Sequence, residues 1–317
     1  MLRKLGDSGI TTTAISFGLA ALGRPGYLNV GHGWDFEERS VEALRARTHE
    51  VLDAAYAAGA RHFDAARSYG RAEEFLGQWL RARSLRPGSV TVSSKWGYTY
   101  TADWQVDADP PEVKDLSADT FRRQLGETRE QLDEYLMLYQ IHSATLSSGV
   151  LDDPDVRREL DELRSTGIAI GMSVTGTEQA ATILRAVEVG GYDTVQATWN
   201  LLERSAGDAL AAAHEAGMGV MIKEALANGR LTLRGQIPAL SAAARRVGAT
   251  EDAVALAGVL ARPWVDSVLS GAATVEQLHS NLRALEVTWD DSVEAELAGL
   301  AEPSDRYWQE RSDMAWT

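Results

Sequence analysis

The sequence predicts an α/β fold, a (β/α)8 TIM barrel with an N-terminal β-hairpin and long βα loops after strands 1 and 3. Two observations carry this. Short β-branched or apolar runs alternate with longer helical patterns, as in βαβ units with a parallel sheet, and eight such units can be counted. No Gly/Ser-rich or Pro-rich linker divides the chain, so residues 1–317 read as one domain, a length that α/β barrels routinely reach.

Taken in order, MLRKLGDSGITTTAI carries a Gly-bracketed turn and reads as a hairpin plugging one end of the barrel. The candidate strands are Ala14–Phe17, Arg61–Asp64, Val90–Ser94, Tyr135–Ile141, Ala169–Ser173, Thr194–Ala197, Gly219–Ile222 and Ser267–Leu269. The clearest helices are Arg71–Arg83, Asp119–Leu132, Asp155–Ser165, Glu178–Val189 and Ala206–Ala216. AAYAAGA and AAAHEAGMGV each place a glycine just past an Ala-rich helix, where a left-handed C-cap belongs. Two connections are long, Gly23 to Arg47 and Gly97 to Ser117. Both follow strands, on the face where barrel active sites sit.

Composition narrows the function. A formal charge of −15 argues against a nucleic-acid or anionic-membrane surface, because a polyanion is repelled at long range. With no cysteine, disulfides, thiolate metal sites and thiol nucleophiles are excluded, and any redox chemistry needs a bound cofactor. The N-terminal stretch lacks the apolar core of a signal peptide, and the longest apolar run, Ala253–Ala261, is too short to span a bilayer; the expected location is cytoplasmic. Gly31-His32-Gly33 and Gly217-Met218-Gly219 lack the third glycine of a Rossmann fingerprint. Gly171-Met172-Ser173-Val174-Thr175 fails as a nucleophile elbow because it ends in Thr. The six histidines show no metal-ligand spacing, so no metal is expected.

RHFDAARSYG ends the second strand with Asp64 and puts Tyr69 in the next loop. VTVSSKWG brings Lys95 from the third strand, and YLMLYQIHS brings His142 from the fourth. Three adjacent strands thus deliver four polar residues to one rim, as barrel catalytic sets are built. Taken singly, a strand-end Lys or His is more often an ordinary rim residue.

These motifs resemble those of the aldo-keto reductases over nearly the whole chain: FDAARSYG, SSKWG and LYQIHS, followed in order by VQATWNLLER, LANGRLT and SGAATVEQLHSNL. The resemblance implies an NAD(P)H-dependent oxidoreductase interconverting a small carbonyl and its alcohol, with Asp64, Tyr69, Lys95 and His142 catalytic. Tyr69 is then the general acid/base. A phenol near its reference pKa of about 10 is a poor acid at neutral pH without a neighbouring cation, here Lys95, itself held by Asp64. His142 hydrogen-bonds the substrate carbonyl.

For the cofactor, the resemblance implies Ser173 and Gln196 at the nicotinamide carboxamide. It places Leu226 and Gly229 at the pyrophosphate, and Gly271, Thr274, Gln277 and Asn281 at the adenosine end. NADP(H) is expected over NAD(H), although Gly271-Ala272-Ala273 carries no cation for a 2′-phosphate. Val174, Lys223 and Glu224 depart from the family, Lys223 and Glu224 standing where an aromatic residue and Ser are common. Met137 and Ala65 are further departures. Tyr27, Trp34, Trp96 and Trp308 are candidates for an apolar substrate pocket, with Tyr98, Tyr100 and Trp104 in the same long loop. Arg67 either attracts a substrate anion or pairs with a loop acid. Two other readings stand beside this one. The first is a nicotinamide-binding regulatory or assembly subunit with weak catalysis, and the second is a lyase or isomerase using Lys95 as a Schiff-base amine.

Overall fold

The computed structural model describes residues 1–317. Eight parallel strands close into a barrel: Ile15–Gly18, His62–Asp64, Thr91–Trp96, Leu136–Ala144, Ala169–Val174, Thr194–Thr198, Gly219–Lys223 and Ser267–Ser270. They are called strands one to eight below. Val268 pairs with Ile15 to close the ring. All but the second run past the expected C-terminal end, because the residues there, among them Lys95, Lys223 and Ser270, interrupt the apolar pattern while their backbones stay in the ladder; His142 lies in an irregularity between Ile141 and Ala144 on strand four. Strand ends are polar where they carry a site.

The helices form an outer ring by burying one stripe each. Helix Ala72–Ala82 buries Phe75, Leu76, Trp79 and Leu80, with Trp79 5.1 Å from the Phe63 ring on strand two. The two glycines expected as C-caps have φ of 99° at Gly59 and 88° at Gly217. Behind them, Ala60 N donates to Ala55 O at 2.9 Å and Met218 N to Ala213 O at 3.0 Å, so each helix is closed before its strand begins.

The N-terminal hairpin pairs Leu2–Lys4 with Thr11–Thr13. Its turn drives Leu5 and Ile10 into a small cluster with Leu138, Ala169 and Met221, which seals the barrel floor. Gly6, with φ 53°, passes so close to strand seven that an added Cβ would collide with Gly219 N. Gly6→Ala is therefore expected to destabilise the fold by about 2–4 kcal/mol from backbone strain plus overpacking, read as a lowered urea midpoint.

The two long connections are more ordered than expected. The first ends early, because a helix spans Val41–Ala57, with Ser40 Oγ accepting from Ala43 N at 3.2 Å and Leu44, Thr48, Val51 and Leu52 buried among its charges. The second folds back as an antiparallel ribbon, Tyr98–Tyr100 against Glu112–Lys114. Near the C-terminus, helix Ser304–Ser312 leads into a tail whose Thr317 exchanges backbone hydrogen bonds with Tyr27 at 3.2 and 3.3 Å. No helix is long and apolar enough to cross a membrane.

Candidate active site

Asp64 ends strand two, with its carboxylate inside the barrel mouth. Its Oδ1 accepts from Ser93 Oγ at 2.7 Å and Gln140 Nε2 at 3.1 Å, while Oδ2 forms a close ion pair with Lys95 Nζ. Lys95 also donates to Ala65 O at 3.0 Å, and both charges are buried. A polar chain supports them from below: Thr12 Oγ1 is 3.1 Å from His62 Nδ1, and His62 Nε2 is 2.9 Å from Ser93 Oγ. Because Ser93 spends its proton on Asp64, His62 donates through Nε2 and accepts at Nδ1. It is a neutral imidazole, consistent with burial lowering its pKa to about 4.

Tyr69 stands above this pair. Its ring centroid is 4.9 Å from Lys95 Nζ and 5.5 Å from the His142 ring, which meets it edge-on at 85°. Burial raises the phenol well above its ordinary pKa and the Asp64 charge raises it further; the leading opposing field is that of Arg24, whose Cζ is 5.4 Å from the ring. Beside the expected Lys95, whose charge is matched by Asp64, Arg24 is thus a second cation facing the phenol. His142 is held well below its ordinary pKa by burial, then by Lys95 and Lys223, and is therefore neutral. Ser68 Oγ lies 3.4 Å from its Nδ1, and a hydrogen bond donated by that hydroxyl would leave the ring proton on Nε2.

Tyr69 and His142 open into a cavity of about 910 Å³ that runs across the barrel mouth, past Gln196 and Lys223, to Ser270 and Asn281 at the strand-eight side. The Gln196 Nε2 group is buried without a hydrogen-bond partner, an amide left to be satisfied by a ligand. Residues Glu224, Ala227, Asn228 and Gly229 all have φ between 48° and 87°, and Glu224, Asn228 and Gly229 line the same cavity.

The family model for the aldo/keto reductase family matches residues 15–302. The chain belongs to that family. Among its relatives, the uncharacterized oxidoreductase YrpG of Bacillus subtilis is 27% identical over 278 residues, covering 77% of this chain and 83% of that protein. L-galactose dehydrogenase of Arabidopsis thaliana is 25% identical over 328 residues, covering 95% and 94%. The holo form of aldo-keto reductase AKR11C1 from Bacillus halodurans superposes with a TM-score of 0.73 at 19% identity, covering 95% and 96%, which shows the shared fold.

Within this aldo/keto reductase, Gln196, Leu226, Gly229, Gly271, Gln277 and Asn281 line the cavity. Ser173 and Thr274 are placed differently. Ser173 Oγ is buried and accepts from Ser143 N at 2.8 Å, bracing the turn after His142. Thr274 caps helix Val275–Leu282 by accepting from Gln277 N at 3.2 Å. Of the aromatic candidates, only Tyr27 and Tyr98 reach the cavity, where Trp316, not foreseen from sequence, joins them. Trp96 follows Lys95 on a strand, so alternation turns it outward against Phe121 at 5.1 Å. Trp34 is 80% exposed on the loop exterior. Trp308 packs into a side cluster with Tyr307 and Leu240, and Trp104 is tied to Arg39 O at 2.7 Å. Arg67 pairs with Glu73 and Glu127, acids of the two following helices rather than of a loop.

Sequence reasoning missed Arg24, Glu112 and Arg311. Arg24 donates to Ser68 O at 2.9 Å and Glu112 at 3.0 Å, under the Trp316 ring at 4.4 Å. A lone loop arginine beside Gly23 and Pro25 gives no periodic signal. Arg311 grips both Glu224 oxygens, at 2.8 and 2.5 Å, across 87 residues of sequence. Burial alone would raise the Glu224 carboxyl, yet Arg311 and Lys223 hold it down to about 2. No three His, Asp or Glu side chains converge as metal ligands.

Proposed function

We propose that the chain acts as one barrel unit interconverting a small polar aldehyde or ketone and its alcohol, with Tyr69 as general acid/base. The observation that carries this is the convergence of Tyr69, His142 and the Lys95–Asp64 pair on a cavity that also holds the unsatisfied Gln196 amide. When bound, a nicotinamide supplies or accepts the hydride. Neutral His142 presents its Nε2 proton to the substrate oxygen, and Tyr69 delivers its hydroxyl proton as negative charge develops there. Lys95 and Arg24 stabilise the phenolate left behind. For alcohol oxidation Tyr69 must begin deprotonated, so burial of the phenol predicts an oxidation rate that rises with pH into the alkaline range. The intact geometry favours catalysis over the regulatory-subunit reading. The Schiff-base reading finds Lys95 bonded to Asp64 and Ala65 O rather than lining the cavity.

The lining also speaks to substrate and cofactor. Tyr27, Tyr98 and Trp316 interleave with Arg24 and Glu112, a mixture of stacking faces and hydrogen-bonding groups suited to a polyhydroxylated carbonyl, which is the class that the L-galactose dehydrogenase name describes. At the far end the cavity is lined by Glu251, Asp252 and Glu276, three carboxylates against the one arginine, Arg47, whose field reaches Glu276. The Ala273 N–H there is already taken by Gln277 Oε1 at 2.8 Å. Carboxylates accept from ribose hydroxyls and repel a 2′-phosphate, which favours NAD(H) over the NADP(H) expected from sequence. In a thermal-shift comparison, NADH is expected to raise the melting temperature more than NADPH at equal concentration. A larger NADPH shift would reverse the cofactor reading, and no shift with either would remove the oxidoreductase reading.

A further inference from the structure

We propose that Lys223 makes this cavity sense the charge of the nicotinamide ring, so that the reduced dinucleotide is held more tightly than the oxidised one. The inference rests on the nicotinamide reading above. The oxidised ring carries a positive charge and the reduced ring none, so a fixed cation beside it separates the two states electrostatically.

Register places Lys223 there. Gln196 on strand six pairs with Met221 on strand seven, and Lys223 lies two residues further toward the mouth on the same side as Met221, which faces the barrel interior. With strands about 4.8 Å apart and about 3.3 Å per residue, the Lys223 and Gln196 backbones are within about 8 Å. A ring whose carboxamide satisfies the Gln196 amide therefore lies beside the Lys223 side chain.

Charge pairing leaves Lys223 as the cation in excess. In this half of the cavity Asp64 is matched by Lys95, Glu112 by Arg24 and Glu224 by Arg311, while His142 is neutral. Lys223 Nζ donates to Thr198 Oγ1 at 2.9 Å and stands 3.8 Å from a Glu224 oxygen that Arg311 already holds. Trp308 offers its ring at 5.9 Å. The Lys223–Glu224–Arg311 cluster therefore carries one net positive charge, in a place where the family resemblance leads one to expect a neutral aromatic face.

The same surroundings make the charge switchable. Burial lowers the Lys223 ammonium to about 8, with Arg311 and Lys95 acting in the same direction and Glu224 opposing. Protonation of Lys223 and binding of the oxidised ring are then antagonistic, so affinity for the oxidised dinucleotide rises as pH passes upward through about 8. Below that pH, a reductive turnover ends with its oxidised cofactor weakly held.

The test is the ratio of dissociation constants for NAD⁺ and NADH, measured by calorimetry at pH 6.5 and 9.5 on wild type, Lys223→Met and Lys223→Arg. Wild type should favour NADH on the order of tenfold at pH 6.5, with the ratio shrinking at pH 9.5. Lys223→Met should show a small, pH-independent ratio, and Lys223→Arg a large one at both pH values. Equal ratios in wild type and Lys223→Met would overturn the inference while leaving the functional reading intact. Failure of wild type to bind these dinucleotides or their 2′-phosphorylated forms would overturn both.

Discussion

Tyr69→Phe is expected to lower kcat for carbonyl reduction by about a thousandfold or more, with dinucleotide affinity unchanged within about twofold. The substitution removes one oxygen and keeps the ring. The edge-on contact with His142 at 5.5 Å and the Arg24 guanidinium at 5.4 Å are packing interactions of that ring, so the walls of the site should stay in place. The Tyr69 hydroxyl makes no hydrogen bond within the chain, so its loss should leave the urea midpoint nearly unchanged. What disappears is the proton. His142 remains as a donor to the substrate oxygen, yet burial and the fields of Lys95 and Lys223 keep it neutral, and a neutral imidazole is a poor acid. The comparison variant is Tyr98→Phe, which keeps its edge-on contact with His142 at 5.0 Å and should lose less than tenfold. Single-turnover rates with saturating NADH separate the two, and a Tyr69→Phe enzyme that turns over at the wild-type rate would sink the proton-donor assignment.

Much of the fold and the grouping of the candidate site can be read from sequence because both are repeated or local signals. Alternating β and helical patterns predict eight strands, and Asp64, Lys95 and His142 announce themselves as polar residues terminating apolar runs. The rest depends on tertiary contact. Trp96 looks like a pocket residue because it adjoins Lys95, but alternation along the strand sends neighbours to opposite faces. Ser173 matches a cofactor motif, yet it lies outside the cavity lining, and its hydroxyl oxygen accepts from the Ser143 amide on the preceding strand. Arg24 and Arg311 matter because the chain tail and the first loop meet over the cavity, and no window of sequence contains both partners. The Gln277 amide that fills the Ala273 N–H, and with it the case for NAD(H), is likewise visible only in three dimensions.

The second large effect concerns the buried pair beneath Tyr69. Lys95→Met is expected to cost about 3–5 kcal/mol at pH 8, because it strands the Asp64 carboxylate with only the Ser93 and Gln140 donors. That cost should shrink at pH 5. Without its cation the buried carboxyl has a folded pKa raised above the unfolded value, so its contribution to stability is present at low pH and lost as pH rises. The same substitution should lower kcat at least about a hundredfold, since the phenolate loses a supporting charge. The decisive variant is Asp64→Asn/Lys95→Met. The carboxamide oxygen introduced by Asp64→Asn would retain the Ser93 and Gln140 hydrogen bonds while no buried charge remains, so stability should return to within about 2 kcal/mol of wild type and lose its pH dependence. Activity should stay as low as in Lys95→Met. Chemical denaturation at pH 5 and pH 8 with parallel single-turnover assays measures all four quantities. Stability that fails to recover in the double variant would mean the pair holds the barrel mouth together, whereas recovery of stability without activity would show that the charges are kept for proton transfer at Tyr69.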